Sequence, residues 1–558
     1  MCSAVLVKRL VLGLLLLLLA SFVASEVFAW QHGWHKNLGR PLTSLQRVPL
    51  YSPDSIWLWA YQWGYATPRH FQGAAIAALV TLGLVAYPFR KKTEASDVAR
   101  WANSDEVREG GLYAPHGTVL GKYKGRILRH GGTTHTLVVA PTDAGKTTST
   151  AVPTVLDTEP GPEEDTLILH DPKNELYDLT AGYRATFTTV IHLDPTSPIS
   201  DRYNPLAAVR WGTEHEIRDM SMIATIMANP DSDPQDDTGQ HFGELVTDLN
   251  IGVGLHGLYT GQAKTMRELD DFYMSEDNLM HLFRQMAKTH HTSAGCHPAV
   301  RRAMRIMSRL KGDELSGVLS TASRALRMYL DPLVARMTSA SDFTLMDVRE
   351  RSKPMTLYLT VPYSEQERLR PLSRLILRQI LGYCTQRLDG WQHPVRAIID
   401  EVQALRRFMA ISEALNYARG YGFTFVLITP SLHELDRQYG PNNNFLESCQ
   451  VRVAYAPNDF RIADRFSHQT GQTEAEKTRQ TFAQDVRTMV GRRSTSTETV
   501  EKPLLSPTGL MYGLKREQVL LLVGNMFPLI VTKARYWKHR LWRTRSQILA
   551  PGKDRHAA

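Results

Sequence analysis

Eight consecutive residues, Ala140-Pro141-Thr142-Asp143-Ala144-Gly145-Lys146-Thr147, form a P-loop pattern with alanine where the first glycine usually stands. The chemistry follows from the residue types. Backbone N–H groups at a helix start cradle phosphate oxygens. Lys146 supplies charge to the β- and γ-phosphates, and the Thr147 hydroxyl suits a magnesium ion. Gly145 lets the backbone approach with no Cβ in the way. Thr148 completes the set of candidate nucleotide-binding residues. A second constellation lies at Asp400-Glu401. Asp400 reads as the second magnesium-side ligand and Glu401 as the base that polarises an attacking water. ATP and Mg2+ are the implied cofactors.

Such a site needs a strand before each motif. Thr136–Ala140 (TLVVA) and Val395–Ile399 (VRAII) are short, apolar and rich in β-branched residues, as buried parallel strands are. Thr148–Leu156 can continue as the P-loop helix, although Pro153 crowds its first turns. Three more strands are expected at Thr166–Leu169, Met355–Val361 and Phe423–Ile428, each bounded by a turn former. Ligands in such sheets sit beyond the carboxyl ends of the strands, which gathers Asp171, Lys173, Asp400, Glu401 and Thr429 at one edge. Asp171 and Lys173 read equally well as a structural ion pair.

The chain has 558 residues, too many for one core, and a net charge of +9. That charge suits nucleic acid or lipid headgroups as partners. The four cysteines, Cys2, Cys296, Cys384 and Cys449, form no CxxC pair and argue against a disulfide framework. His290, His291, Cys296 and His297 cluster without a zinc-ligand spacing. Leu10–Ser25 is an uncharged run preceded by Lys8 and Arg9, and Phe71–Phe89 is a second followed by Arg90, Lys91 and Lys92. Read as spans over about 10–28 and 71–89, they put both chain ends in the cytoplasm, with a Trp-rich loop outside. A cleaved signal peptide is the alternative for the first run. The basic end, with Lys538, Arg540, Arg543 and Arg545, reads as a solvated tail.

With those elements in place, further segments resemble the type IV secretion coupling proteins of the TraG/TraD kind. They are Asp171-Pro172-Lys173-Asn174-Glu175-Leu176-Tyr177, Tyr203-Asn204-Pro205-Leu206, Asp400 through Leu405, Tyr417 to Gly422, and Ser431-Leu432 with Tyr439-Gly440. The resemblance implies an α/β fold: a RecA-like P-loop NTPase core (93–210 and 325–558) with an inserted all-α domain (211–324), preceded by a two-helix membrane anchor (1–92). Helical apolar spacing within 214–310 agrees with the insert. The resemblance further implies a multi-pass protein of the bacterial inner membrane with a large cytoplasmic domain, homo-hexamers around a channel, and ATP-driven delivery of relaxase-bound DNA or effector proteins to type IV channel components. It places a trans-acting arginine finger at Arg419. Pro430 departs from the family, which carries glutamine there. That departure favours a second reading, a nucleotide-switched docking receptor. A septal translocase of the FtsK type is a third, with little chain beyond Tyr536 for the extra domain those proteins carry.

Overall fold

The computed structural model describes residues 18–45, 48–64, 71–72, 74–76, 98–161, 164–231, 233, 237–274, 279–484 and 491–552. The chain divides into two compact units, 1–97 and 98–558.

In the first unit a helix over 18–31 precedes a small antiparallel hairpin, β1 (Thr43–Leu45) and β2 (Val48–Leu50), and a helix at Ser55–Trp63. Phe28, Tyr51 and Trp59 form its aromatic core. The Trp59 indole donates to the Leu38 carbonyl at 3.2 Å, which satisfies the polar end of a buried ring. Trp30, Trp57 and Tyr61 stay exposed. Among the described residues no helix is long and apolar enough to cross a membrane. Part of the first expected span and most of the second lie outside the described residues: 10–17 of the first, and all of the second except 71–72 and 74–76.

The second unit is built on an eleven-stranded sheet. Its strands are β3 (Thr118–Tyr123), β4 (Arg126–His130), β5 (Thr136–Val139), β6 (Thr166–His170), β7 (Thr189–Leu193), β8 (Met355–Leu359), β9 (Val395–Ile399), β10 (Phe423–Thr429) and β11 (Val451–Ala454), with β14 (Gln518–Val523) and β15 (Leu529–Thr532) closing one side. Between them β12 (Gln472–Gln484) and β13 (Gly491–Pro503) form a separate two-stranded ribbon. The order is β4-β3-β15-β14-β11-β5-β10-β9-β6-β8-β7. From β11 to β7 every neighbouring pair is parallel; from β11 through β14, β15 and β3 to β4 every pair is antiparallel.

Burial explains why the central strands read as continuous apolar runs. β5, β6, β8, β9 and β10 are buried at every position, since both faces of the sheet are covered. Side chains alternate between two cores. Leu137, Ile168, Leu357 and Ile399 face one with the helix Gln366–Cys384. Val138, Leu167, Tyr358 and Ile398 face the other with the helices Val152–Leu156 and Glu175–Arg184.

Between β7 and β8 the described chain is helical, with helices at Glu216–Ala228, Asp237–Thr260, Met266–Tyr273, Leu279–Lys288, Pro298–Met307 and Gly312–Arg324. Their core is continuous with the one beneath the sheet: Met220 and Ile223 belong to the same cluster as Leu372 and Ile376. Helix Asp237–Thr260 packs closely against its neighbours. A Cβ on Gly252 would stand 2.5 Å from that of Ala303.

The basic C-terminal segment departs from the solvated tail expected of it. Trp542 is fully buried, and its indole donates to Asp157 at 3.0 Å. Arg545 donates to the Leu156 carbonyl at 2.6 Å, and Tyr177 donates to the Pro551 carbonyl at 2.6 Å. Trp542, set among its cations, marks this docking, because burying an indole outweighs solvating the cations around it, which reach water or backbone carbonyls along flexible stems.

Candidate nucleotide site

Strand β5 ends at Val139, paired in register with Thr429 of β10. The Ala140 N–H donates to the Thr429 carbonyl at 3.0 Å. Ala140 is not among the residues of positive φ, so nothing at this position requires glycine. The loop then turns through two left-handed residues, Asp143 (φ 62°) and Gly145 (φ 82°). At Gly145 an added Cβ would also lie 1.8 Å from the Arg535 guanidinium, the end of a side chain that would have to swing aside.

The helix after the loop begins as a π turn at Thr147–Ala151 and becomes α-helical at Val152–Leu156. This resolves the conflict at Pro153. Proline offers no N–H and crowds the carbonyl four residues back, and the wider turn removes the demand for that bond.

Strand β9 is separated from β5 by β10 alone, so Asp400 and Glu401 emerge on the same edge as the P-loop. The Thr147 hydroxyl donates to Asp400 Oδ2 at 2.8 Å. Lys146 Nζ is ion-paired with Glu401 Oε1, both side chains being largely buried. Glu401 holds a left-handed backbone (φ 61°), which turns its carboxylate back toward the loop. Such a backbone in a non-glycine residue costs about 1–3 kcal/mol and persists only where its surroundings impose it. The Gln403 amide donates to the other Glu401 oxygen.

Burial raises the Asp400 carboxyl to about 6, against the pull of Lys146 and the Thr147 bond. Its second oxygen, Oδ1, is buried and has no hydrogen-bond partner among the described residues. The donor set therefore fits a nucleotide with a divalent ion. There is a lysine amine held by a carboxylate, a threonine hydroxyl beside a buried carboxylate with one oxygen spare, and a loop whose glycine holds a left-handed backbone close to Arg535.

Asp171 and Lys173 do not form an ion pair among the described residues. Asp171 Oδ2 instead accepts from the Tyr177 N–H at 3.0 Å and so holds the start of the helix Glu175–Arg184. Burial pushes its carboxyl up to about 7, and Asp400 adds to the shift. His170, fully buried, lies with Nδ1 3.2 Å from the Asp400 carbonyl, and burial lowers the ring to about 4. It stays neutral beneath the acidic pair.

Arg419 is not brought into this site. It is exposed on the turn Ala418–Tyr421, before β10 begins, near His135 at the start of β5. It therefore occupies the opposite edge of the parallel sheet from the P-loop of its own chain.

Two site residues escaped the sequence reading. Lys533 Nζ donates to the Ala144 carbonyl at 3.0 Å and lies over the Tyr455 ring. Burial, then the charge of Arg535, lowers its amine to about 8. Arg535 Nη1 donates to Thr148 Oγ1 at 3.2 Å, and Nη2 reaches Glu517 at 3.3 Å. The signal was present. An apolar run (LIVT) followed by cations at i and i+2 puts two positive charges on one side of an extended chain. What was missing was that β15 lies on the P-loop's side of the sheet.

Comparison with known proteins agrees with this geometry. Residues 90–555 match the family described as type IV secretory system conjugative DNA transfer. The conjugal transfer protein TraG of Escherichia coli is 29% identical over 536 residues, covering 87% of this chain and 82% of its own. VirD4 of Agrobacterium fabrum (strain C58) is 26% identical over 562 residues, 96% of this chain and 79% of its own. Among solved structures, the plasmid coupling protein TrwB in complex with ADP and Mg2+ is similar at a TM-score of 0.56 and 17% identity, covering 78% of this chain and 94% of that one. That similarity establishes the RecA-like α/β core. With most of its length matched, the chain belongs to the type IV secretory system conjugative DNA-transfer family.

Proposed function

We propose that this protein is a membrane-anchored ATPase coupling protein that recruits DNA, with or without bound protein, or protein substrates, and passes them to a type IV secretion channel. The observation that carries the reading is the meeting of Lys146 and Thr147 with Glu401 and Asp400 on the carboxyl edge of the sheet. In this reading the residues act in turn. Lys146 leaves Glu401 for the β- and γ-phosphates, and the loop N–H groups hold the remaining phosphate oxygens. Thr147 and Asp400 hold a magnesium ion, which when bound neutralises phosphate charge. Glu401, released from the lysine and still oriented by Gln403, takes the proton of the attacking water. Arg419, remote from its own P-loop, serves the nucleotide of a neighbouring subunit in a ring. The two apolar runs at 10–28 and 71–89 anchor that ring, taken as a hexamer, in the bacterial inner membrane. The domain limits 93–210 with 325–558, and 211–324, belong to the same proposal.

One observation favours a nucleotide switch with little turnover. Pro430 stands at the end of β10, beside the P-loop, and offers no side-chain donor to a γ-phosphate. Hydrolysis by the detergent-solubilised full chain, with and without single-stranded DNA, separates the two readings. Turnover that DNA stimulates and Lys146→Ala abolishes supports the motor. Turnover unchanged in Lys146→Ala refutes it.

A further inference from the structure

A cavity of about 480 Å3 opens beside Glu401 and Gln403. Segments following three strands of the parallel sheet line it: Tyr363 and Arg370 after β8, Gln403, Arg406 and Arg407 after β9, and Arg437 after β10. It thus lies on the same edge as the nucleotide site but is a separate opening. Four arginines face it against one lining carboxylate, Glu434, which Arg437 takes at 2.6 Å.

The remaining three cations are under-partnered. Arg406 and Arg407 form no ion pair among the described residues, and Arg370 comes no nearer to an acid than 3.9 Å, to Asp231. Arg370 is only 8% exposed, yet its Nη1 has no hydrogen-bond partner among the described residues; nor has Arg407 Nε. Leaving a buried charged donor unsatisfied costs upward of about 1–3 kcal/mol. Two such buried donors around one opening, with the exposed Arg406 lacking an ion pair among the described residues, signal an anionic partner. At the rim, the Tyr363 ring is 76% exposed.

We infer that this cavity binds the phosphate backbone of single-stranded nucleic acid, with Tyr363 stacking on a base at its mouth. Arginine forks match phosphate oxygens two at a time, and an exposed ring beside a basic groove is how strands are held without sequence preference. An acidic peptide would satisfy the cations but would leave the ring without a flat partner. The position adds a consequence. Gln403 lines the cavity and holds Glu401, so an occupant stands one side chain from the proposed base. This inference rests on the proposed reading that the protein engages DNA and ATP.

The test is anisotropy of a fluorescein-labelled single-stranded oligothymidylate titrated with the detergent-solubilised full chain across a salt series. The variants are the double substitution Arg406→Ala with Arg407→Ala, and Tyr363→Ala, the latter too exposed to unfold the protein. The double variant is expected to bind at least tenfold more weakly, and its log–log salt slope to be shallower by about 1.4, the value for two lost phosphate contacts on a single strand. Tyr363→Ala is expected to lose about tenfold with the slope unchanged. Binding of a fluorescent ATP analogue stays at the parent level in both. Parent-like DNA affinity and slope in both variants overturn the inference while leaving the DNA reading intact. A parent chain that binds no strand overturns both. Loss of affinity for polyglutamate, with oligothymidylate binding intact, reassigns the cavity to a protein segment and also overturns it.

Discussion

Lys146 and Glu401 stand 255 residues apart in the chain and form an ion pair at the heart of the site. The carboxylate sits where the lysine amine must meet phosphate, so nucleotide and Glu401 compete for one cation. Glu401→Gln removes the competitor's charge while keeping its shape. ATP affinity is expected to hold or tighten, while hydrolysis falls about a hundredfold or more, as for loss of a general base. Binding and steady-state turnover measured on the same sample check this, and retained turnover removes Glu401 from the role of base.

Arg535 is expected to be part of the nucleotide site rather than its scaffold. Its guanidinium lies against Gly145 and Thr148. Arg535→Ala should weaken ADP and ATP alike by about tenfold, the worth of one hydrogen bond to a charged group. Gly145→Ala should abolish binding, and adding Arg535→Ala should not restore it, because the positive φ of 82° strains any Cβ even when the clash is gone. Full rescue in the double variant is the result that contradicts the backbone argument.

Because Arg419 lies at the far edge of the sheet, the proposed role of its guanidinium in hydrolysis requires a neighbouring subunit's nucleotide. Arg419→Ala and Lys146→Ala chains are each expected to be inactive alone. Mixed before assembly, they should regain part of the parent's turnover, since some interfaces then pair an intact P-loop with an intact arginine. No regain on mixing, with assembly verified by sedimentation, eliminates the trans role.

Acid should loosen the helical region through His256. The backbone N–H of His297 donates to His291 Nδ1 at 3.1 Å, so the other nitrogen of His291 donates to His256 Nδ1 at 2.8 Å. Burial, reinforced by His291, holds His256 at about 4 against 6.5 in the open chain. Between those values the unfolded chain binds the extra proton, so stability is lost as pH falls from about 6.5 toward 4. Relative to a His256→Asn variant, the parent should lose up to about 1.4 kcal/mol per pH unit over this window. Denaturant unfolding of both at pH 7, 6 and 5 measures the difference, and a constant difference rules the linkage out.

The buried pair of Arg184 and Glu164 tests the frame of the sheet. Arg184 has no exposed side-chain surface, and it also donates to Thr356 and Thr158 at 2.8 and 2.7 Å. Arg184→Met leaves a carboxylate buried without its partner and should cost about 3–5 kcal/mol. Replacing both, as Arg184→Met with Glu164→Leu, should recover most of that loss, since an apolar pair needs no desolvated charge. Midpoints of chemical denaturation are the readout.

Local chemistry written in consecutive residues was legible from the chain alone. The P-loop, the Asp400-Glu401 step and the five central strands are contiguous patterns of burial and turn formation, and each expected strand matches its observed limits to within two residues. The antiparallel strands β3, β4, β14 and β15 went unread: the runs of β3 and β4 are short and mixed in polarity, and the pairing that joins the two hairpins, β15 beside β3, brings together opposite ends of the unit. Tertiary structure alone decided which distant groups meet. It set Glu401 on Lys146, put Lys533 and Arg535 against the P-loop, seated the C-terminal segment through Trp542, and kept Arg419 at the opposite edge. The physical reason is that a residue's type and its near neighbours dictate local backbone preference, whereas the charge that stands opposite it is chosen by sheet order and register.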